Sequence, residues 1–175
     1  MEFIKTKFDG LFEIKNDEFK DCRGSFVKTF HENTFHNHGL EIDFKEGFYS
    51  VSNKNVLRGM HYQIPPSDHN KLVYVTDGAI LDVALDIRKD SKTYGKYFST
   101  ELSNVNKKSL YMGKGFAHGF LTLSDMATVM YLTSTVHSPE CDKGILWSSF
   151  GFEWPVDDPI MSERDKSFVP LIELT

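Results

Sequence analysis

The stretch AILDVALDIR at residues 79–88 alternates apolar and polar side chains with a period of two. In an extended chain, Leu81 and Val83 point to one face, whereas Asp82 and Ala84 point to the other. Such alternation is typical of a strand that packs one face of a sheet onto a core. We therefore predict a β-strand over residues 79–88.

The segments on either side of this stretch repeat the pattern and are separated by turn signals such as Asp-Gly at 77–78. Helical periodicity is confined to residues 33–39, closed by Gly39, and to residues 162–167. Ser162 would be the N-cap of the second helix. Further strands are predicted at residues 72–76, 96–102 and 128–136.

These patterns predict the fold class. Many short strands at regular spacing, with only a few short helices, favour an all-β jelly-roll barrel or sandwich. The open mouth of such a barrel is a natural ligand cavity. No repeat or low-complexity linker divides the chain, so we predict a single domain over residues 1–175.

The composition argues against several classes of function. A formal net charge of −5 disfavours a nucleic-acid or anionic-membrane surface. The N-terminal residues are charged almost at once, and no apolar run approaches the roughly 18 residues of a membrane helix. Cys22 and Cys141 lie far apart without a Cys-X-X-Cys partner, so we expect reduced thiols in a cytoplasmic protein.

One stretch, NVLRGMHYQIPPSDHNK at residues 55–71, concentrates side chains that can do chemistry. It is too polar for a core strand and too specific in residue type for an ordinary loop. We predict that Arg58 binds an anion, that His61 moves a proton and that Lys71 stabilises developing negative charge.

Arginine is scarce in this chain, since only four of the 20 Lys and Arg residues are Arg. Arg23 and Arg58 are each followed by Gly, and a planar guanidinium group suits bidentate binding of an anion. Arg88 is interpreted as the structural partner of a strand acid.

Six motifs occur in a characteristic order: DCRGSF at 21–26, VLRGMHYQ at 56–63, KLV at 71–73, DVALDIR at 82–88, GFAHGF at 115–120 and SERD at 162–165. In this order they resemble the dTDP-4-dehydrorhamnose 3,5-epimerase family, over about residues 20–165. The resemblance implies a cupin-type jelly roll without a cofactor. It also implies a homodimer in which N-terminal strands are exchanged.

The resemblance further implies an epimerase that inverts C3, C5 or both beside the 4-keto group of a nucleotide-diphosphate sugar, in cell-surface polysaccharide synthesis. Loss of a proton next to a ketone gives an enolate. The enzyme therefore needs a base on one face, a charge at the enolate oxygen and a proton donor on the opposite face. His61 would be the base, Asp165 its orienting carboxylate, and Lys71 the charge.

The substrate contacts also follow from the resemblance. Arg23 and Arg58 would clamp the diphosphate, with Phe26 near the nucleotide base or sugar. His118 would touch the sugar, and Arg164, which replaces a family Lys, would keep a charge near the phosphates or sugar. The predicted substrate-binding residues are Arg23, Phe26, Glu46, Phe48, Arg58, Gln63, His118 and Arg164.

Many cupins bind a metal through a His-X-His motif, but residues 61–63 of this chain are His-Tyr-Gln. The second His ligand is therefore missing, and we predict no catalytic metal. The spacing of three other histidines resembles that of a metal site: His31, His36 and His38. We interpret them instead as residues of a polar surface helix.

The first departure from the family concerns the proton donor. The family's Tyr before the Ser-Pro-Glu turn corresponds here to His137. Tyr131 lies six residues earlier, about 20 Å along an extended strand, which argues against it as a replacement. Either His137 is the acid, or a water or another Tyr reprotonates the carbon, or one centre is no longer inverted. We predict inversion mainly at one carbon, C3, or His137 as a substitute acid.

Further departures concern the nucleotide. A family Gln and Asn upstream of the VLRG motif correspond to Glu46 and Phe48, and a family Glu corresponds to Lys28. A carboxylate cannot donate to the carbonyls of thymine, but it can accept hydrogen bonds from the N1–H and amino groups of guanine. We therefore predict a GDP-linked sugar, hexose or heptose, in preference to a dTDP-linked one.

Two alternative functions stay open. A cupin 3,4-ketoisomerase shares the fold and the enolisation chemistry but lacks the combined VLRGxHYQ and GFAHGF pattern. A non-catalytic sugar-binding cupin would account for the missing Tyr. Exchange of solvent protons beside the ketone separates them, because a binder gives none and an isomerase moves the ketone itself.

Overall fold

The computed structural model describes residues 1–174, which form thirteen β-strands and three short helices. This content confirms the all-β prediction. The helices are α1 (Glu32–Asn37), α2 (Glu163–Lys166) and a 3₁₀-helix (Leu171–Glu173). The strands are β1 (Glu2–Lys5), β2 (Leu11–Lys15), β3 (Asp17–Asp21), β4 (Gly24–Lys28), β5 (Glu46–Asn53), β6 (Leu57–Gln63), β7 (Lys71–Asp77), β8 (Ala79–Asp86), β9 (Tyr97–Ser103), β10 (Lys108–Met112), β11 (Phe116–Thr122), β12 (Met126–Thr133) and β13 (Asp142–Gly144).

Most strands pair antiparallel in two sheets. One sheet has six strands in the order β1-β2-β10-β7-β12-β5, and the other has five in the order β13-β6-β11-β8-β9. The hairpin of β3 and β4 forms a separate two-stranded sheet. Two sheets with this non-sequential strand order confirm the cupin-type jelly roll expected from the sequence.

Apolar side chains pack in three layers. Val73 and Phe120 belong to the layer between the two sheets. On the outer face of the five-stranded sheet, Trp154 of the C-terminal segment packs in the cluster that contains Val83. Phe35 of α1 fills the layer on the other sheet. Both outer faces are thus covered, and the open space is left between the sheets.

β8 confirms the strand predicted around 79–88, but both of its faces are buried. Val83 packs toward the C-terminal segment, whereas Ile80 and Ala84 pack between the sheets. Asp82 shares the inter-sheet face and is fully buried. The polar half of the pattern therefore points into the interior of the sandwich.

Arg88 follows β8 and has the structural role predicted for it. Its Nε and Nη2 donate hydrogen bonds to the buried carboxylate of Asp86 at 2.9 and 2.7 Å. The guanidinium group also stacks on the ring of Phe116, with 4.4 Å to the ring centroid.

The two predicted helices are present. Ser162 is the N-cap of α2, and its Oγ accepts a hydrogen bond from the backbone N–H of Asp165 at 3.1 Å. The three histidines at or beside α1, His31, His36 and His38, are exposed. Within residues 1–174, neither helix nor the 3₁₀ turn is long and apolar enough to cross a membrane.

β12 ends at Thr133, three residues before the predicted end at 136. Beyond that point the chain leaves the sheet ladder for other partners. The N–H of Ser134 donates to the carbonyl of Asn70 at 3.0 Å, and the N–H of Ser138 donates to Oε1 of Gln63 at 2.7 Å.

A bulge in β6 decides which of its side chains reach the interior. Arg58 and His61 are three residues apart, so a regular strand would place them on opposite faces. Against β11, however, His118 pairs with His61 and Phe120 with Arg58, which leaves one extra residue on β6. Gly59 lies in this bulge at φ +127°, and a Cβ there would approach Gly119 Cα to 2.5 Å. Arg58 and His61 therefore share one face.

Candidate active site

A cavity of about 260 Å³ lies between the two sheets. β5, β7 and β12 supply one wall, and β6 and β11 supply the opposite wall. Nine of the twelve predicted site residues line this cavity: Glu46, Phe48, Arg58, His61, Gln63, Lys71, His118, His137 and Arg164.

His61 is paired with Asp165 of α2. The ring nitrogen Nε2 lies 3.0 Å from Oδ1 of Asp165, whose Oδ2 accepts a hydrogen bond from the N–H of Gly59 at 3.0 Å. Burial acts to raise the pKa of the Asp165 carboxyl, but the bonds from His61 and Gly59 outweigh burial and lower it. An ionised carboxylate only accepts, so neutral His61 carries its proton on Nε2 and keeps Nδ1 as the basic nitrogen.

A second histidine–carboxylate pair lies deeper. His118 of β11 is 4 % exposed, and its Nε2 donates to Oδ1 of Asp82 at 2.8 Å. Burial lowers the pKa of His118, although Asp82 opposes this effect. The second oxygen of Asp82 has no hydrogen-bond partner within residues 1–174. Asp82 therefore fixes the ring of His118 and keeps one buried oxygen without a donor in this part of the chain.

Lys71, at the start of β7, points into the same cavity. Burial lowers the pKa of Lys71 to about 8, while the carboxylates of Asp82 and Asp142 act in the opposite direction. The ammonium group is therefore mostly charged at neutral pH and positioned to meet negative charge in the cavity.

Tyr131 of β12 also lines the cavity, on the wall opposite His61. Its hydroxyl lies 3.1 Å from Ser50 Oγ, and burial raises its pKa, so the hydroxyl keeps its proton at neutral pH. The expectation that Tyr131 lies too far from the site is wrong. The straight-strand distance to His137 does not apply, because the chain bends after Thr133 and Tyr131 reaches the cavity from the strand itself.

His137 lies at the mouth of the cavity with 57 % of its side chain exposed. Its Nε2 is 3.2 Å from Oδ2 of Asp142, and its backbone N–H donates to Oε2 of Glu46 at 2.8 Å. Arg164 donates to the same oxygen of Asp142 at 2.7 Å. The mouth therefore carries a connected set of charged and polar groups.

Arg58 lies on the β6 side of the mouth. Its Nε donates to Ser52 Oγ at 2.9 Å and its Nη2 to the carbonyl of Val51 at 3.3 Å. Neither partner is charged, so the positive charge of Arg58 stays available to an anion at the cavity mouth.

Phe48 and Gln63 occupy contrasting positions. The ring of Phe48 is 44 % exposed and stacks on Tyr131, with 4.6 Å between centroids. Gln63 is buried, and its amide accepts from Ser138 and donates to the carbonyl of Ser67 at 2.7 Å each. Phe48 offers a free aromatic face, whereas Gln63 fixes the neighbouring loops.

Arg23 and Phe26 are not brought to the cavity of their own chain. They lie on the β3–β4 hairpin, around a separate concave surface. Arg23 is paired with Asp21, and Phe26 is 62 % exposed. The predicted clamp of Arg23 with Arg58 is therefore not formed within one chain.

No group of three or more His, Cys, Asp or Glu side chains within residues 1–174 is arranged to hold a metal ion.

The sequence does not identify three residues of the site: Tyr131 and His69, which line the cavity, and Asp82, which lies behind His118. An Asp on the buried face of an apolar strand is the signal that could have identified Asp82. Tyr131 shares the inward face of β12 with Val129 and Thr133, because residues two apart in a strand point the same way. This period of two is the signal that predicts its position. His69 carries no such signal, because it precedes β7 in a loop.

Comparison with known proteins places these residues in a family context. The family model for dTDP-4-dehydrorhamnose 3,5-epimerase matches residues 5–173. A protein of that name from Methanothermobacter thermautotrophicus is 44 % identical over 98 % of this chain and 95 % of its own length. A dTDP-4-dehydrorhamnose 3-epimerase from Streptomyces niveus is 33 % identical over 94 % of this chain and 81 % of its own length.

A solved structure extends the likeness to three dimensions. The dTDP-6-deoxy-D-glucose-3,5-epimerase of Legionella pneumophila, in complex with dTDP-4-keto-L-rhamnose, superposes with a TM-score of 0.94. It is 34 % identical, and the match covers 99 % of this chain and 94 % of that one.

Proposed function

The chain belongs to the dTDP-4-dehydrorhamnose 3,5-epimerase family and is a nucleotide-sugar epimerase, and from this premise we propose how its cavity works. The substrate is a nucleotide-diphosphate 4-keto-6-deoxy sugar whose carbons beside the ketone are inverted through an enolate. The observation that carries this proposal is the placement of His61 and Tyr131 on opposite walls of one cavity.

His61 is the base. Its pairing with Asp165 leaves Nδ1 free to take the proton from the carbon beside the ketone, and the carboxylate stabilises the imidazolium that results. Lys71 stabilises the negative charge that then develops on the ketone oxygen.

Tyr131 is the acid that we favour for returning a proton to the opposite face. Its hydroxyl is protonated, lies within hydrogen-bond distance of Ser50, and is on the wall that faces His61. His137 is the second candidate, but it is mostly exposed and already bonded to Asp142. If Tyr131 is the acid, inversion does not require a Tyr at position 137, where this chain has His137. We therefore propose inversion at both C3 and C5.

The nucleotide that we propose is dTDP. The relatives compared above are named for dTDP-linked sugars and do not support the preference for GDP inferred from Glu46. In addition, Oε2 of Glu46 already accepts a hydrogen bond from the backbone N–H of His137. A GDP-linked sugar stays a second candidate on one observation, the acceptor oxygens of Glu46 beside the exposed ring of Phe48 in the cavity.

We propose that the protein acts as a homodimer, in the cytoplasm, with the β3–β4 hairpin of one chain reaching the cavity of the other. The isolated hairpin and its two exposed rings, Phe19 and Phe26, support this arrangement. It would also reconcile the predicted roles of Arg23 and Phe26 with their distance from their own cavity. Cys22 and Cys141 are both free thiols, as expected in a reducing compartment.

A panel of dTDP- and GDP-linked 4-keto sugars in deuterated water tests the proposal. Deuterium at C3 and C5, with the ketone still at C4 and faster turnover of the dTDP sugars, is expected. A ketone that moves to C3 would identify a 3,4-ketoisomerase, and binding without exchange would identify a sugar-binding cupin. Faster turnover of the GDP sugars would assign the nucleotide to the second candidate.

A further inference from the structure

His69 is a cavity residue for which the mechanism above has no use. It lies in the loop before β7, two residues from Lys71, and lines the same cavity as Lys71 and His118. Its ring therefore faces the same cavity as Lys71, beside which the ketone oxygen must lie if Lys71 is to stabilise an enolate.

The hydrogen bonds of Gln63 fix the orientation of its amide. The backbone N–H of Ser138 donates to one amide atom at 2.7 Å, which must therefore be the oxygen Oε1. The other atom, Nε2, is then a donor, and it gives one hydrogen to the carbonyl of Ser67 at 2.7 Å.

The same donor sets the tautomer of His69. Gln63 Nε2 lies 3.2 Å from Nδ1 of His69, and two donors would repel at that distance, so Nδ1 accepts. Thr135 Oγ1 lies farther from Nδ1, at 3.3 Å, and its own proton goes to the carbonyl of Ser67 at 2.7 Å, so we assign Nδ1 by its shorter contact with Gln63. A neutral His69 therefore carries its proton on Nε2, which bonds no protein group within residues 1–174.

The surroundings also keep the ring neutral. Burial lowers the pKa of His69 to about 3, and the nearby Lys71, His118 and Lys114 act in the same direction. At neutral pH the ring is thus a fixed donor rather than a base. A neutral imidazole can polarise a carbonyl without giving up its proton.

We propose that His69 donates a hydrogen bond from Nε2–H to the ketone oxygen of the substrate, beside Lys71, and is a catalytic residue. This inference rests on the proposed function, because it needs an enolate to form. Lys71 supplies the charge at this oxygen, and His69 supplies a directed neutral donor that holds the oxygen in place as charge develops. No proton leaves His69 during the reaction.

Two substitutions separate this role from simple packing. His69→Leu removes the donor and is expected to lower kcat by about 100-fold, with little change in KM. His69→Gln keeps an N–H donor and is expected to recover most of that loss. His36→Leu, on the exposed side of α1, is the control and should keep wild-type kcat. Circular dichroism and melting temperature establish that each variant is folded.

Nitrogen-15 NMR of the His69 ring provides a readout that does not depend on turnover. A single neutral tautomer protonated at Nε2, unchanged from pH 5 to 8, is expected from burial and the Gln63 contact. A ring that titrates in that range, or is protonated at Nδ1, overturns the inference, as does a folded His69→Leu variant with wild-type kcat.

Deuterium exchange by the wild-type protein distinguishes failure of the His69 role from failure of the proposed epimerase function. If the wild type exchanges and His69→Leu exchanges equally fast, only the role of His69 falls. If the wild type does not exchange at all, the proposed function falls and the catalytic role of His69 falls with it.

Discussion

In the mechanism that we propose, the hydroxyl of Tyr131 returns a proton to the face opposite His61, and inversion depends on it. Tyr131→Phe removes the donor on one wall and leaves the His61–Asp165 pair on the other. His61 would still exchange the substrate proton with solvent on its own face. We expect inverted product to form at least about 100-fold more slowly, while deuterium enters with retained configuration. NMR of the sugar in deuterated water measures both.

His137→Phe is the matched comparison for that variant. The side chain of His137 is mostly exposed and bonded to Asp142, so inversion should continue with at most a modest loss. Loss of inversion in His137→Phe, with normal inversion in Tyr131→Phe, would transfer the acid role to His137.

The lowered pKa of Lys71 predicts how kcat/KM changes at alkaline pH. Burial lowers its pKa to about 8, and a lysine is charged only below its pKa. The charge that we propose to stabilise the enolate is therefore present at pH 7 and lost as pH rises through about 8, so kcat/KM should fall over that range. The pKa of Tyr131 is raised, so its hydroxyl stays protonated there and is not the cause.

Lys71→Met checks this assignment. The variant should lose about 10²–10³-fold in kcat/KM and lose the decline above pH 8 as well. A decline that persists with the same midpoint in the folded variant would assign the titration to another group.

At the residue scale, the motif around 55–71 was sufficient to predict three residues of the cavity. Arg58, His61 and Lys71 are of types that suit anion binding, proton transfer and charge stabilisation, and all three line it. A distance along a straight strand excludes Tyr131, but the chain bends after Thr133 and that distance does not apply. The tautomer of His69 depends on the orientation of the Gln63 amide, which the N–H of Ser138 fixes from 75 residues away, and no local pattern contains that contact.

At the scale of strands, the contact between β6 and β11 positions the cavity wall that carries His61. Gly59 and Gly119 approach so closely that a Cβ on Gly59 would lie 2.5 Å from Gly119 Cα and 2.8 Å from the His118 carbonyl. Gly59→Ala should therefore push the two strands apart, misplace His61 and reduce both activity and stability.

Gly24→Ala is the matched control, because Gly24 has a similar φ of +124° but no atom within 4 Å of the point that an added Cβ would occupy. Both substitutions carry about 1–3 kcal/mol of backbone strain. Overlap should add about 1–3 kcal/mol for Gly59→Ala alone. Urea unfolding measures the difference, and equal losses of unfolding free energy would contradict a role for close strand approach.

The strand pattern itself was predictable, whereas the bulge was not. Alternation at 79–88 correctly gave β8, because side chains of a strand must alternate between faces. The same rule applied to β6 predicts that Arg58 and His61 lie on opposite faces. Only the pairing with β11 shows the extra residue that places both on one face. The register depends on how two strands pair, so the sequence of one strand alone does not predict it.

At the scale of the whole molecule, the β3–β4 hairpin has no strand partner within the described part of its own chain, residues 1–174. Phe19 and Phe26 are 59 % and 62 % exposed on it, which favours contact with a second copy. Phe19→Ser combined with Phe26→Ser should weaken the dimer and raise KM. Sedimentation velocity measures the first effect, and a variant that stays a dimer with wild-type KM would contradict the proposed exchange.

Complementation decides whether the hairpin acts on the other chain. A variant with Arg23→Ala and Phe26→Ser is co-refolded with His61→Asn, each inactive or weak alone. In a mixed dimer, one cavity then combines an intact His61 with an intact hairpin if the hairpin acts across the interface. Activity above that of either parent is expected, and no gain would place the hairpin's function within its own chain.

The position of deuterium in the sugar tests the central claim most directly. Wild-type protein is incubated with a dTDP-4-keto-6-deoxy sugar in deuterated water, with His61→Asn in parallel, and the product is read by NMR. Base and acid on opposite walls predict label at C3 and C5 with inverted configuration and the ketone still at C4, and no label with His61→Asn. Equal labelling by His61→Asn, or a wild-type product without label, would contradict it.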